Sequence, residues 1–471
     1  MVSSGSNHSA GAQANFIRSR IPAGGLFAGQ EFRISPTPFR LEPQLAKELD
    51  SLGRVLLQFY RAVNLLYRQS AAGQQPAWIA NWLDQGKPAD LVELQRQPVF
   101  KNDFPRVIRP DILLTDSGIT LTELDSVPGG IGLTSWLNQT YGAMDSSAAD
   151  GEGATEEGRV ADPSVHPESI GRRPASILGG ADGMLLGFQS IFGVASKVHI
   201  VVSEESATYR PEMDWMAGRL GEARFAVRNA QFAGFSTGDA VYRFFEMFDL
   251  ANVGNATAIF ELARQKKIRL TPPPKMFFEE KMLFALLWNQ HLRGFWRREL
   301  GEGFFERLLK SIPYTWLVDP TPLPPHGAIP ELNLTDWHRL KLLSQREREL
   351  ILKVSGFSDT AWGARGVYLG SDLSVSEWSE AVDLALRSFP RSPFVLQRYH
   401  KPRTVESHWF DFARNERVEM RGRVRLCPYY FVSGDADNAR ATLGGVLATI
   451  CPADKKIIHG MKDAILAPCT A

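Results

Sequence analysis

The stretch VIRPDILLTDSGITLTELDSVPGG, Val107 to Gly130, sets Arg109, Asp111, Glu123 and Asp125 on the two arms of what otherwise reads as a β-hairpin. If Asp116 to Gly118 form a three-residue loop with Gly118 in the left-handed region, Thr115 pairs with Ile119. Asp111 then faces Glu123, Arg109 faces Asp125 and Leu113 faces Leu121, and the period-two alternation of a strand puts all of them on one face. A two-residue Ser117-Gly118 turn would instead set Asp111 opposite Leu124 and scatter the acids. The three-residue loop is the favoured expectation.

Like charges across a sheet repel and raise at least one carboxylate pKa unless a cation lies among them. Mg²⁺ carrying nucleotide phosphates would meet that need, because it takes few carboxylate oxygens and completes its octahedron with phosphate and water. The plain alternative is a solvated hairpin with ordinary surface ion pairs.

A chain of 471 residues with 44% hydrophobic content has room for roughly two to four domains. Its 53 Lys+Arg balance 52 Asp+Glu, which offers no footprint for nucleic acid or an anionic membrane and favours a small-molecule or peptide substrate. Cys427, Cys451 and Cys469 lack metal-ligand spacing and suit a reducing compartment. Neither a basic-then-apolar leader nor a run of about 18 apolar residues is present, so the expectation is a cytoplasmic protein with a disordered start over residues 1–30.

Leu45, Leu49, Leu52, Leu56, Tyr60 and Val63 follow Pro43 at helical spacing, and residues 31–142 read as this helix plus the charged hairpin. The Ser-, Gly- and acid-rich residues 143–175 read as a disordered insertion. Residues 176–274 hold a strand, helix and strand at 197–203, 211–220 and 223–228. In 275–471 a long aromatic helix is expected after Lys275, followed by the strand ELILKVSG and the glycine-rich loop SGFSDTAWGARGVYLG. A helix capped by Ser374 and Glu377 leads to the strand FVLQRYH, and strands EMRGRVRLCPYYF, GGVLATICP and IIHG close the chain. The fold class is α/β (α+β), without internal repeats.

No Gly-x-x-x-x-Gly-Lys-Ser/Thr loop is present, and PGGIGLTSW lacks the third glycine of a dinucleotide fingerprint. In motif order, residues 100–471 less the insertion resemble the circularly permuted ATP-grasp ligases of the glutathionylspermidine synthase type. The resemblance implies a permuted ATP-grasp fold with a pre-ATP-grasp strand-helix-strand domain, and ATP and Mg²⁺ as cofactors. It makes Asp111, Glu123 and Asp125 metal ligands and Arg109 the group facing the transferred phosphoryl. Asp125 stands where the family has asparagine, which leaves the number of metal ions open. EEKMLFALLW maps a phosphate-binding lysine to Lys281, and LILKVSGFSDTAWGARGV maps a second to Lys353. FVLQRYHKP maps the adenine strand to Gln397.

Without the resemblance, Lys281 would read as a surface lysine, whereas Lys353 in an apolar strand calls for an anionic partner. Gly356, Gly363, Gly366 and Gly370 suit either turns or a lid whose N–H groups close over phosphates. Arg421, Arg423 and Arg425 share one strand face, with Arg425 the candidate for anion binding. Histidine spacing supports no zinc site and no serine-hydrolase elbow occurs. With no cysteine before Cys427, the amidase that some of these synthases carry is not expected. The expected activity is a carboxylate–amine ligase working through an acyl phosphate. An ATP-grasp phosphotransferase and an inactive nucleotide-binding scaffold remain its rivals.

Overall fold

The computed structural model describes residues 4–22, 32–151, 176–361, 363, 365–455, 458 and 462–471. Helix α1 (Ser4–Ser19) and short strands β1 (Arg33–Ile34) and β2 (Phe39–Arg40) precede the long helix α2 (Pro43–Ala71). Pro43 starts α2, and Leu49, Leu52, Leu56, Tyr60 and Val63 are fully buried, as their spacing predicts. Over residues 4–22 the first helix corrects the expectation of an unordered start at 1–30; residues 1–3 and 23–30 lie outside the described residues. Ala10, Ala14 and Ile17 recur at helical spacing and are buried in one cluster with Phe410 and Trp136. Two of the three are alanines, too small to stand out as an apolar stripe.

Helices α3 (Ala77–Asp84) and α4 (Ala89–Arg96) lead to the hairpin strands β3 (Val107–Thr115) and β4 (Gly118–Asp125), then to helices α5 (Ile131–Gly151) and α6 (Gly183–Ser190). The insertion expected at 143–175 is thus helical at its start, because residues 143–151 continue α5; residues 152–175 lie outside the described residues. Buried Ile131, Leu133, Trp136, Leu137 and Tyr141 anchor α5, and good helix formers such as Ala143 and Met144 let it run on.

Strand β5 (Val198–Val202), helix α7 (Arg210–Leu220), strands β6 (Phe225–Arg228) and β7 (Ala240–Phe244), helix α8 (Ala256–Arg264) and strand β8 (Arg269–Thr271) follow. The strands form an all-parallel sheet in the order β6-β5-β7-β8. Every residue of β5 and β7 is buried, which is why KVHIVVS reads as a continuous apolar run without alternation.

This sheet is tied to the hairpin unit through Glu212 of α7, whose Oε2 accepts the Leu133 N–H at 3.1 Å at the start of α5. Gly132 lies so close to Glu212 that a Cβ there would meet its carbonyl oxygen at 2.6 Å. Burial pushes the Glu212 carboxyl up to about 7 against the pull of the Leu133, Gly132 and Gly130 amides. A raised carboxyl binds its proton more tightly in the folded chain, so its contribution is complete below the unfolded value and is lost as pH rises through 7. Glu212→Gln is therefore expected to gain up to about 3 kcal/mol on the wild type between pH 4.5 and 8. Denaturant unfolding at both pH values checks this, and a wild-type-to-variant difference independent of pH would contradict it.

The single helix expected after Lys275 is broken into α9 (Leu283–Trp288), α10 (Arg293–Leu300) and α11 (Glu302–Ser311). The Asn289 side chain accepts the His291 N–H at 3.0 Å and restarts the chain, and Gly301 separates the last two helices at φ +73°. Strands β9 (Thr315–Leu317), β10 (Leu350–Val354) and β11 (Val367–Leu369), helix α12 (Val375–Ser388) and strand β12 (Phe394–Arg398) complete this unit. Its sheet is antiparallel in the order β11-β10-β12-β9. The capping box of Ser374 and Glu377 forms, and Trp378, Ala381, Val382 and Ala385 of α12 join Leu350, Leu352, Val354 and Leu396 in one core. Period-two alternation then turns Ile351, Lys353 and Gln397 to the opposite face.

Strands β13 (Thr404–Asp411), β14 (Glu416–Ser433), β15 (Arg440–Pro452) and β16 (Ile465–Thr470) build the large sheet, with central order β1-β16-β15-β14-β3-β4. The expected strand IIHG, 457–460, lies outside the described residues apart from Ile458. Along β14, Val424, Leu426, Tyr430 and Val432 join the core of α2, whereas Cys427, Tyr429 and Phe431 join that of α5 and α6. Gly53 of α2 meets the Tyr430 ring and Gly187 of α6 the Phe431 ring where a Cβ would not fit, so helices cover both faces of a mixed α/β fold. Among the described residues no helix is long and apolar enough to cross a membrane.

Candidate active site

The hairpin register is Arg109↔Asp125 and Asp111↔Glu123, the pairs expected from the sequence, but it is reached differently. Thr115 pairs with Gly118, so the turn is Asp116-Ser117, and Leu113 pairs with Thr120 where Leu121 was expected. A β-bulge on β4 then shifts the register between Asp111 and Ile112 and leaves Thr122 without a partner in the ladder. Tip and bulge offset each other by one residue, and the charged pairs land opposite one another. The unpaired Thr122 is used: its carbonyl accepts Lys353 Nζ at 3.0 Å, and its hydroxyl donates to the Asp111 carbonyl at 3.2 Å.

The charges pair within the chain. Arg109 Nε lies 3.2 Å from Asp111 Oδ1 and its Nη2 2.9 Å from Asp125 Oδ2, while Nη1 donates to the Gly129 carbonyl at 3.1 Å. Arg425 Nη1 holds Asp111 Oδ2 at 3.1 Å, and the buried Cys427 thiol lies 3.5 Å from Asp111 Oδ1. Lys281 Nζ holds Glu123 Oε1 at 2.9 Å and donates to the Ala361 carbonyl at 2.7 Å. Burial alone would raise Asp111, yet Arg109 and Arg425 bring it below the ordinary carboxylate value. Asp125 goes the other way, because burial and the charges of Glu123 and Asp111 outweigh Arg109.

These groups line a cleft of about 280 Å³ between the hairpin face and the free face of the sheet containing β10. Lys353, in the apolar strand, is 7% exposed and donates to Thr122 O and, at 3.1 Å, to Gln397 Oε1. Burial lowers its ammonium to about 8. Lys353 and Gln397 are therefore neighbours across paired strands. Gly363 lines the cleft, whereas Gly366 packs against Val354 and the Thr360 carbonyl outside its lining. Of the alternating arginines only Arg425 reaches the cleft; Arg423 donates to Lys455 O and Arg421 is exposed beside Thr404.

The cleft is mixed in character. Leu113, Ile351, Val367, Leu369 and Ile458 supply its apolar lining and Arg109, Lys281, Lys353, Arg398 and Arg425 its cations, and the two sets interleave, since Lys353 pairs with Val367 and Arg425 with Leu113. A third wall comes from the carboxyl ends of β5 and β7, with Glu205, Tyr209, Glu246 and Asp249. Sequence reading missed these residues because they follow strands in loops without motif spacing. Arg365 of the glycine loop reaches across to Glu205 at 2.7 Å. Among the described residues no three His, Cys, Asp or Glu side chains are arranged as a metal site.

No protein-family model matches this chain, and no curated protein matches it by sequence. Among solved structures, it is similar to a glutathione synthetase-like effector from Globodera pallida in the apo form, at 10% identity and a TM-score of 0.55. That match covers 98% of this chain and 96% of the other. A protein from Methylobacillus flagellatus described as a gamma-glutamylcysteine synthetase matches at 11% identity and a TM-score of 0.37 over 88% of each chain. The first likeness shows the fold.

Proposed function

We propose that the chain is an ATP-dependent carboxylate–amine ligase with a circularly permuted ATP-grasp arrangement, similar to glutathionylspermidine synthase. The observation carrying this is the cleft itself, where Lys281, Lys353, Arg109 and Arg425 line one space together with apolar side chains between two sheets. In this reading a purine lies against the apolar lining residues Leu113, Ile351, Val367 and Leu369, with Gln397 beside it, and the triphosphate meets Lys353, Lys281 and Arg425. The solved structure of similar fold, a glutathione synthetase-like protein by its description, is consistent with ligase chemistry. The 176–274 unit, whose strand ends face the phosphate region, is the substrate-bearing pre-ATP-grasp part.

Mg²⁺ fits one side of the acid group. Among the described residues Glu123 is held by Lys281 and its side chain is 36% exposed, so it is the ligand we assign first, with Asp125 beside it although its Oδ2 meets Arg109 and its Oδ1 the Val127 N–H, and with phosphate and water completing the shell. Asp111 fits less well as a direct ligand, because Arg109, Arg425 and Cys427 already occupy its oxygens. When bound, the ion would neutralise phosphate charge. The chain's own groups do the rest. Arg109 and Arg425 face the charge that develops as a carboxylate oxygen attacks the γ-phosphorus and ADP leaves. The glycine loop keeps water from the acyl phosphate until an amine nitrogen attacks its carbon, expels phosphate and loses a proton.

The test is phosphate release from ATP across panels of acids and amines, with hydroxylamine as trap. A ligase releases phosphate when acid and amine are both present, and with acid and hydroxylamine in place of the amine it gives a hydroxamate together with phosphate. ATP consumption with one acceptor and no hydroxamate would indicate a phosphotransferase, and no consumption a nucleotide-binding scaffold.

A further inference from the structure

Beneath the glycine loop lies an ion pair shut off from solvent: Lys87 Nζ is 2.5 Å from Glu280 Oε1, with side chains 0% and 1% exposed. Beyond this pairing, neither atom has a hydrogen-bond partner among the described residues. Removing two charges from water costs more than their attraction returns unless the geometry is close and further hydrogen bonds satisfy the remaining atoms. Here the other carboxylate oxygen has a clear task. Glu280 Oε2 accepts the Ser355 hydroxyl at 2.5 Å, where β10 ends and the glycine loop begins.

Ser355 is fastened on every side. Its Oγ accepts the Met282 N–H at 2.9 Å, its carbonyl accepts the Lys281 N–H at 2.8 Å, and its own N–H donates to the Pro393 carbonyl at 2.9 Å. The next residue, Gly356, lies where a Cβ would meet Glu279 O at 2.7 Å and Glu280 Cδ at 2.8 Å. The segment carrying Lys87 braces the same region, since Gln85 Nε2 donates to the Pro390 carbonyl at 2.9 Å. Lys281 thus has its backbone tied to the root of the loop while its ammonium reaches Ala361 further along it.

We propose that Glu280, neutralised by Lys87, is a positioning residue that locks Ser355 and the closely packed Gly356 to the Lys281 segment, and so fixes Lys281 at the cleft. The placement of Lys281 for phosphate rests on the nucleotide reading above; the locking of the loop root does not.

Amide hydrogen exchange in the ligand-free chain tests the lock directly. In Lys87→Met/Glu280→Leu, which leaves no unpaired buried charge, the amides of Lys281 and Met282 should exchange about tenfold faster with the melting temperature held. Ser355→Ala, which keeps the ion pair and cuts the link, should give the same acceleration at Lys281, whose N–H keeps its carbonyl acceptor, whereas the Met282 N–H loses its acceptor directly. Lys87→Met/Glu280→Gln, which retains an acceptor for Ser355, should return exchange to the wild-type rate. Unchanged exchange in the first two variants, or exchange that merely tracks melting temperature across all three, overturns the proposal. A non-hydrolysable ATP analogue supplies the second arm, with affinity expected to fall about tenfold in the Leu and Ala variants and to recover with Gln. If the wild type does not bind the analogue, the nucleotide reading fails while the exchange rates still decide the lock.

Discussion

Replacing Lys353 by methionine is expected to lower ATP turnover by about two to three decades, equivalent to about 2 to 4 kcal/mol of barrier. Among the described residues the ammonium is a buried cation held by neutral acceptors, Thr122 O and Gln397 Oε1, and can take a phosphate oxygen without breaking an ion pair to them. Folding stability should change by only about 1 kcal/mol, because the charge removed from burial offsets the two acceptors left unpaired. Burial brings the lysine down to about 8, so in the free protein the charged form is lost as pH rises past 8 and kcat/KM for ATP should fall there. The methionine variant should lack that limb. Because Lys353 also touches Gln397, adenosine binding is expected to weaken slightly, and ATP binding by a further factor of about ten. Turnover at the wild-type rate in the variant would remove Lys353 from the phosphate site.

The second large effect is on stability. Arg109→Met should destabilise the chain by about 3 to 5 kcal/mol, because one guanidinium pairs both Asp111 and Asp125 and also serves the Gly129 carbonyl. Glu123→Gln should cost less than about 1 kcal/mol, since that carboxylate is 36% exposed and has one lysine partner. Despite burial, Asp111 titrates below the ordinary value in the wild type through Arg109 and Arg425. Its contribution is therefore present above the unfolded carboxylate pKa and is lost as pH falls through the depressed value. The gap between wild type and Arg109→Met should accordingly narrow below about pH 4. Thermal or urea unfolding of both variants at pH 7 and pH 3.5 measures it. Equal stability of wild type and Arg109→Met at neutral pH would mean the arginine is not the keystone of this group.

Much of this site was legible from residue types at period two and period three-to-four. Arg109, Asp111, Glu123 and Asp125 share a neighbourhood because strand alternation and pairing put them there, and Lys353 faces the cleft because Leu352 and Val354 face α12. The Ser374 capping box and the buried stripe of α2 are local and could be read directly. Other features depend on energies that no local pattern carries. A two-residue tip and a bulge at Thr122 give the same charged pairs as a three-residue loop, so the sequence specified the outcome and packing chose the route. Helix α1 exists because tertiary contacts with Phe410 and Trp136 stabilise an alanine-rich face.

The sequence by itself determined an α/β chain with cations and acids placed to meet an anionic ligand, since periodicity and charge are local properties. Only the tertiary structure decided that each hairpin acid is already paired with Arg109, Arg425 or Lys281, and that Lys353 and Gln397 touch. It also brought Glu205, Glu246 and Asp249 to the cleft from another sheet. These pairings join residues tens to hundreds of positions apart, and their strength depends on burial, which exists only once the sheets and helices have packed.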